Sequence, residues 1–179
     1  MKKVQVILNK RITSIGNNKL TENINIRRAT KADFLSINKL ANQIHDLHVA
    51  NLPEIFKETE YPIPETYFIE KLNDEKIKFY VLTENEIVIA YAIVEIRNSK
   101  DLPLMHKQCL HLIDTFIVDS TKRKKGFGKF LFNQIVQDSK NDKADKIILD
   151  VWEFNKDAEK FYISLGMKNR LKRMEYDLT

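Results

Sequence analysis

Hydrophobic positions along the chain switch between a two-residue and a helical period, and each switch marks an element. Ile24-Asn25-Ile26-Arg27-Arg28 alternates like a half-buried strand; Phe34, Ile37, Leu40, Ala41, Ile44 and Leu47 then follow the helical period, with Thr30 placed to cap the helix. Asn51 to Pro64 holds three prolines and several acids, and reads as a substrate-facing lid with a short turn at Glu54 to Lys57. A second helix is predicted over Thr66 to Leu72. Strands at Lys78 to Thr83 and Ile87 to Ile96 follow, joined as a hairpin through Glu84-Asn85-Glu86, and then a loop from Asn98 to Gln108. The apolar run Leu110 to Val118 predicts a buried strand, and Phe130, Leu131, Ile135 and Val136 predict a helix ending near Ser139, before a polar turn at Asn141-Asp142-Lys143. Ile147 to Trp152 predicts another strand. Asn155 or Asp157 starts a helix through Phe161 and Leu165 that Gly166 ends, and a last strand falls near Met174 to Leu178.

Strands and helices interleave without an internal repeat, which predicts a mixed α/β (α+β) fold with residues 24–179 as one domain. Residues 1–23 form an extension. Its apolar Val4 to Leu8 and its Gly16-Asn17-Asn18 turn suit an arm, a hairpin or an added edge strand equally. The 179 residues suffice for a real core. The longest apolar run, Ile87 to Val94, is eight residues, well short of the ~18 a membrane helix needs. The charged N-terminus lacks the apolar length and small-residue cleavage site of a signal peptide, and the one cysteine, Cys109, excludes an internal disulfide. Both point to the cytoplasm, with no membrane partner.

The net charge of +5 is mild, so its placement matters more than its size. Lys122-Arg123-Lys124-Lys125 is the densest basic run, and Arg170, Lys172 and Arg173 form a second patch. By itself such a run is a solvated surface. Here it leads into Gly126-Phe127-Gly128, where a strand hands over to a helix N-terminus. Such a junction offers unpaired N–H groups and the positive end of a helix dipole to an anion, and glycines allow a ligand close approach. A dinucleotide-binding fingerprint would need a small residue where Leu131 stands, although Asp150 lies at a plausible distance for the ribose acid. A Walker loop would need four residues between the glycines and then Lys-Ser or Lys-Thr, which is absent. Arg-x-x-Gly-x-Gly remains.

In this respect the chain resembles the GNAT superfamily of acetyl-CoA-dependent N-acetyltransferases. Phe116 to Gly128 is similar to the family's strand, turn and Arg-x-x-Gly-x-Gly motif, with Ser120 where proline is common. Asn155, Ala158, Phe161-Tyr162 and Leu165-Gly166-Met167 match its second motif, with Met167 for the usual Phe, and Ile26 to Thr30 resembles its opening. The resemblance spans roughly residues 24–178. It implies a mostly antiparallel central sheet flanked by helices on both faces, and acetyl-CoA as cosubstrate. Phe116, Ile117 and Val118 would lie along the pantetheine arm. The N–H groups of Lys124, Lys125, Gly126, Phe127, Gly128 and Lys129 would hold the pyrophosphate, and Arg123 would add charge. Asn155 would hydrogen-bond the cofactor, beside space left by Ala158.

Tyr162 is, by the same resemblance, the general acid that protonates the leaving thiolate. A primary amine, with a pKa of ~10.4, must lose a proton before attack, so a base is also needed. Asp114 is the first choice, because alternation places it on the same strand face as Phe116 and Val118; Glu95 on the neighbouring strand is the second. His45 and His48, at i, i+3, are too few for zinc and are better read as solvent-facing or substrate-lining, so no metal is expected. His106 and His111 are isolated, and Cys109 fills space. Glu54, Glu58 and Glu60 are placed to attract a cationic amine, with Tyr61 on its path. The acceptor is a small-molecule or protein amine. A non-catalytic acyl-CoA sensor would share the same cradle. The chain carries no nucleic-acid recognition motif, and a homodimer is compatible with it.

Overall fold

The structure, a computed structural model, describes residues 23–100, 102–176 and 178. The extension predicted over residues 1–23 lies, but for Asn23, outside them. In chain order the elements are β1 (Ile24–Arg28), α1 (Phe34–Asn51), α2 (Glu65–Asn73), β2 (Ile77–Glu84), β3 (Ile87–Asn98), β4 (Cys109–Val118), α3 (Phe127–Asn141), β5 (Lys146–Leu149) and α4 (Lys156–Ser164). One sheet has the order β1-β2-β3-β4-β5. The first four strands pair antiparallel and β5 runs parallel to β4, because α3 carries the chain back across the sheet.

Helices cover both faces of the sheet. On one face α1 and α2 pack Ile37, Leu40 and Phe68 against Phe79, Val81, Tyr91 and Ile93. On the other, Phe127, Leu131, Phe132 and Ile135 of α3 pack against Leu82, Ala90, Ala92 and Val94. This explains why β3 reads as an unbroken apolar run: it is central and buried on both sides. Its large residues, Tyr91 and Ile93, face α1 and α2, while Ala90 and Ala92 let α3 approach closely.

The β2–β3 hairpin turns where expected, through Asn85 and Glu86, both with positive φ (50° and 67°). At the start of α1, a 3₁₀ turn of Lys31–Asp33 follows Thr30, whose N–H and hydroxyl both donate to the Asp33 carboxylate. The lid loop turns one residue earlier than expected, with the Ile55 and Phe56 N–H groups bonded to the Leu52 carbonyl. Three side chains along α1 pin this loop. Asn38 exchanges two hydrogen bonds with Ile63, Asn42 donates to the Glu60 carbonyl, and His45 Nε2 meets the Lys57 carbonyl at 2.8 Å.

Three expectations are corrected. In the β3–β4 ladder Ile93 opposes Thr115 and Val94 opposes Ile113, so Asp114 is an extra, unpaired residue in β4. This bulge reverses the alternation. Ile113 and Phe116 therefore both face α3 and α4, while Asp114 lies on the α1 and α2 side, opposite to Phe116 and Val118. The strand predicted to reach Trp152 ends at Leu149, because its pairing with β4 stops at Ile113, immediately before the bulge. The strand predicted near Met174 to Leu178 is absent among the described residues. Met174, Tyr176 and Leu178 alternate, but they are about nine-tenths exposed and pair with no strand. Alternation fits a strand only where a sheet edge receives it.

Candidate functional site

Past Ile113 and Leu149, β4 and β5 no longer pair, and the sheet splits into a cleft of about 470 Å³. Asp114, Thr115, Phe116 and Ile117 line it from β4; Leu149 to Trp152, Asn155, Ala158 and Tyr162 line it from β5 and α4. His45 and His48 of α1, Pro62 and Pro64 of the loop, and Tyr67 of α2 line it as well. The structure thus brings together Asp114, Phe116, Ile117, Asn155, Ala158 and Tyr162. Glu95 is not among them: it lies on β3, paired with Arg97 at 2.8 Å, and that hydrogen bond holds its carboxyl below the usual range.

The basic loop adjoins the cleft through packing. Arg123 Nε donates to the Val118 carbonyl at 3.1 Å, Lys124 has φ of 62°, and Gly126 takes φ of 88° at the N-cap of α3. Only glycine adopts the last conformation without strain. The first helical bond runs from the Phe130 N–H to the Gly126 carbonyl, which leaves the N–H groups of Gly126, Phe127, Gly128 and Lys129 without helical partners. Arg123, Lys124 and Lys125 are exposed around them, while the Phe127 ring is buried in the core. These groups fit a pyrophosphate, with backbone donors, a dipole and three cations in one place. Packing also requires a glycine at position 128: a Cβ there would lie 3.0 Å from Phe161 Cζ and 3.6 Å from Val118 Cγ2.

Phe116, Phe161 and Tyr162 form a ring cluster with centroids 5.2–6.1 Å apart, Tyr162 edge-on to Phe116. Burial pushes the Tyr162 phenol up, so it keeps its proton at neutral pH. Asn155 Oδ1 accepts from the Ala158 N–H at 3.1 Å and caps α4; the cap consumes the carbonyl side of the amide and leaves its NH₂ group for a ligand. Asp114, exposed at the edge of the cleft, accepts from the Thr115 hydroxyl at 3.3 Å.

Sequence reasoning missed an aromatic wall. His48 stacks on Phe56 at 4.7 Å, and Trp152 and Phe154 stand edge-on to His48 at 6.4 and 5.8 Å. These rings come from α1, the lid loop and the segment after β5, so no spacing in the chain announces them. Only the i, i+3 pair His45 and His48 gave a signal. Burial, with help from the neighbouring His45, pushes the His48 imidazole down and keeps it uncharged. Glu58 and Glu60 line a separate depression with Asp46, Val49 and Ala50, and Pro62, Pro64 and Tyr67 stand in the cleft where Tyr61 was expected. Among the described residues no three His, Cys, Asp or Glu side chains converge, and no helix is long and apolar enough to cross a membrane.

A mixed sheet split between β4 and β5 over a glycine-led helix N-terminus defines an acyltransferase-like architecture, and the sequence matches the model of the acetyltransferase (GNAT) family over residues 41–167. The chain belongs to that family. Among solved structures, a tetramutant of the BH1408 protein from Bacillus halodurans is 32% identical, with a TM-score of 0.83 over 86% of this chain and 99% of that one. Aminoglycoside N-acetyltransferase AAC(6')-Iy in complex with CoA is 15% identical, with a TM-score of 0.68 over 91% of this chain and 98% of that one. An acetyltransferase of Trypanosoma brucei is 20% identical, with a TM-score of 0.64 over 87% and 99%. The last two likenesses are of fold alone. No curated protein matches the sequence.

Proposed function

We propose that this chain is an N-acetyltransferase that moves the acetyl group of acetyl-CoA to a primary amine by direct attack. The observation that carries the reading is that Asp114 and Tyr162, from different elements, face one cleft at the split between β4 and β5. The Gly126 to Lys129 N–H groups and Arg123 to Lys125 hold the pyrophosphate, the free edge of β4 from Phe116 to Val118 takes the pantetheine arm, and the Asn155 amide donates to it. As the C–N bond forms and the C–S bond breaks, Asp114 takes the amine's proton and passes it to solvent. Tyr162 donates to the leaving sulfur. As charge gathers on sulfur the hydroxyl hydrogen-bonds to it and then supplies the proton, so CoA leaves as the free thiol and the phenol recovers its proton from solvent.

The test is an amine panel with acetyl-CoA, following free-thiol release. Asp114→Asn should lower turnover while leaving acetyl-CoA affinity nearly unchanged; unaltered turnover removes Asp114 from the chemistry. Tight acetyl-CoA binding with no turnover on any amine would make the chain an acyl-CoA sensor, and absence of binding would end the reading.

A further inference from the structure

We infer that the acceptor end of the cleft selects a monoamine carried on a flat apolar body, an arylalkyl amine, over polycationic amines and amino sugars. The inference rests on the acetyl-transfer reading and names the acceptor class for that site. Charge is the first argument. The cleft lining contains two carboxylates, Asp114 and Asp150, and no lysine or arginine. Arg97 lies within electrostatic reach of both, and the Lys71 ammonium sits 5.1 Å from the Tyr67 ring centroid, so two cations outside the lining offset part of their field. One ammonium is matched by what remains; each further ammonium of a polyamine would lose water without gaining a partner. The acids that could have held a polycation, Asp46, Glu58 and Glu60, line the other depression.

Shape and surface are the second argument. Tyr67, which feels the Asp114 charge, lines the cleft with Pro62, Pro64, His48 and Trp152, flat-sided surfaces of the kind that take a ring. Trp152 lines the cleft and remains 41% exposed although it packs against His48 and Phe56, so part of it is open to a ligand. The enclosure is preformed, because Asn38, Asn42 and His45 tie the loop bearing Phe56, Pro62 and Pro64 to α1. His48, held neutral, does not repel an incoming ammonium. A rigid apolar wall with one charge at its end is the complement of an aryl ring on a short aminoalkyl chain.

Trp152 is the only tryptophan of the chain, so its emission reports ligands at this wall directly. The full-length protein with saturating CoA, which cannot react, is titrated with 2-phenylethylamine, ethylamine, spermidine and kanamycin, with calorimetry for ligands that leave the emission unchanged. 2-Phenylethylamine should shift the Trp152 emission and bind at least ~10-fold more tightly than the other three, a preference expected from burying one ring. His48→Ser and Tyr67→Ala should each reduce that preference, so a failure of one variant to fold leaves the other. Spermidine, kanamycin or ethylamine binding as tightly as 2-phenylethylamine overturns the inference, as does absence of binding by all four. Parallel assays with acetyl-CoA separate the two claims. Selective 2-phenylethylamine binding without thiol release from any amine overturns acetyl transfer alone; thiol release fastest with spermidine or kanamycin overturns the acceptor class alone.

Discussion

Gly128 at the start of α3 sits so close to Phe161 of α4 that a methyl group on its Cα would lie 3.0 Å from Phe161 Cζ. Phe161 precedes Tyr162, and its ring centroid is 5.2 Å from the Tyr162 ring. Gly128→Ala should therefore act on the Tyr162 end of the site through packing. The substitution gains up to ~1 kcal/mol of helix propensity but overpacks at a cost of ~1–3 kcal/mol. We expect net destabilisation by urea melting and reduced turnover, with Phe161→Leu in the same chain recovering much of both. Additive effects of the two substitutions would refute the contact.

Tyr162→Phe removes only the hydroxyl and keeps the ring packed on Phe116 and Phe161. Turnover should fall ~10²-fold, within the range of proton-donating groups, while KM for acetyl-CoA and the urea midpoint stay close to those of the parent. A variant with parental kcat would reduce Tyr162 to a packing residue.

His111 is fully buried, with Nδ1 2.8 Å from the Ser139 hydroxyl and Nε2 3.4 Å from Asp142. Burial pushes its imidazole down and Lys78 adds to this, against partial opposition from Asp142 and Asp138. Below ~6.5 the unfolded chain takes up a proton that the folded one resists, so this histidine's contribution to stability is intact above that pH and lost as pH falls. Urea midpoints at about pH 7.5 and 5, on either side of that value, should show that loss, and His111→Gln should show less of it. His48 titrates in the same sense, so the difference between parent and variant isolates His111. Equal losses in the two proteins would assign the acid sensitivity elsewhere.

The Asp33 carboxylate, 5% exposed, takes two bonds from the Arg27 guanidinium at 2.7 and 2.8 Å and two more from Thr30. Asp33→Ala should cost ~2–3 kcal/mol, since it strands half-buried Arg27 and frees the turn that starts α1. Glu153→Ala breaks a pair with Lys156 that solvent surrounds, and should leave the melt unchanged. Equivalent melts for the two variants would contradict this ranking.

Much of the fold was legible because its signals are local. The run from Ile87 to Val94 had to be a buried strand, Thr30 and Asn155 start their helices, and Gly126 and Gly166 stand where positive φ is needed. The candidate site was legible only where one short motif supplies its residues, as with the basic loop and the Asn155 to Tyr162 segment. Asp114 lies on the strand face opposite to the one alternation predicts, because a bulge is a property of two paired strands and leaves no mark in the alternation of one. The C-terminal segment misled for a related reason: its pattern is that of a strand, but a strand exists only with a partner.

By itself the sequence determined the order of the elements from β1 to α4, the glycine-led junction that opens α3, and the family, since each depends on residues adjacent in the chain. The tertiary structure alone decided where β4 and β5 part, which way Asp114 points, and that His48, Phe56 and Trp152 meet as one wall beside it. Those outcomes depend on contacts between segments dozens of residues apart, which packing and strand register settle together and which no local pattern encodes.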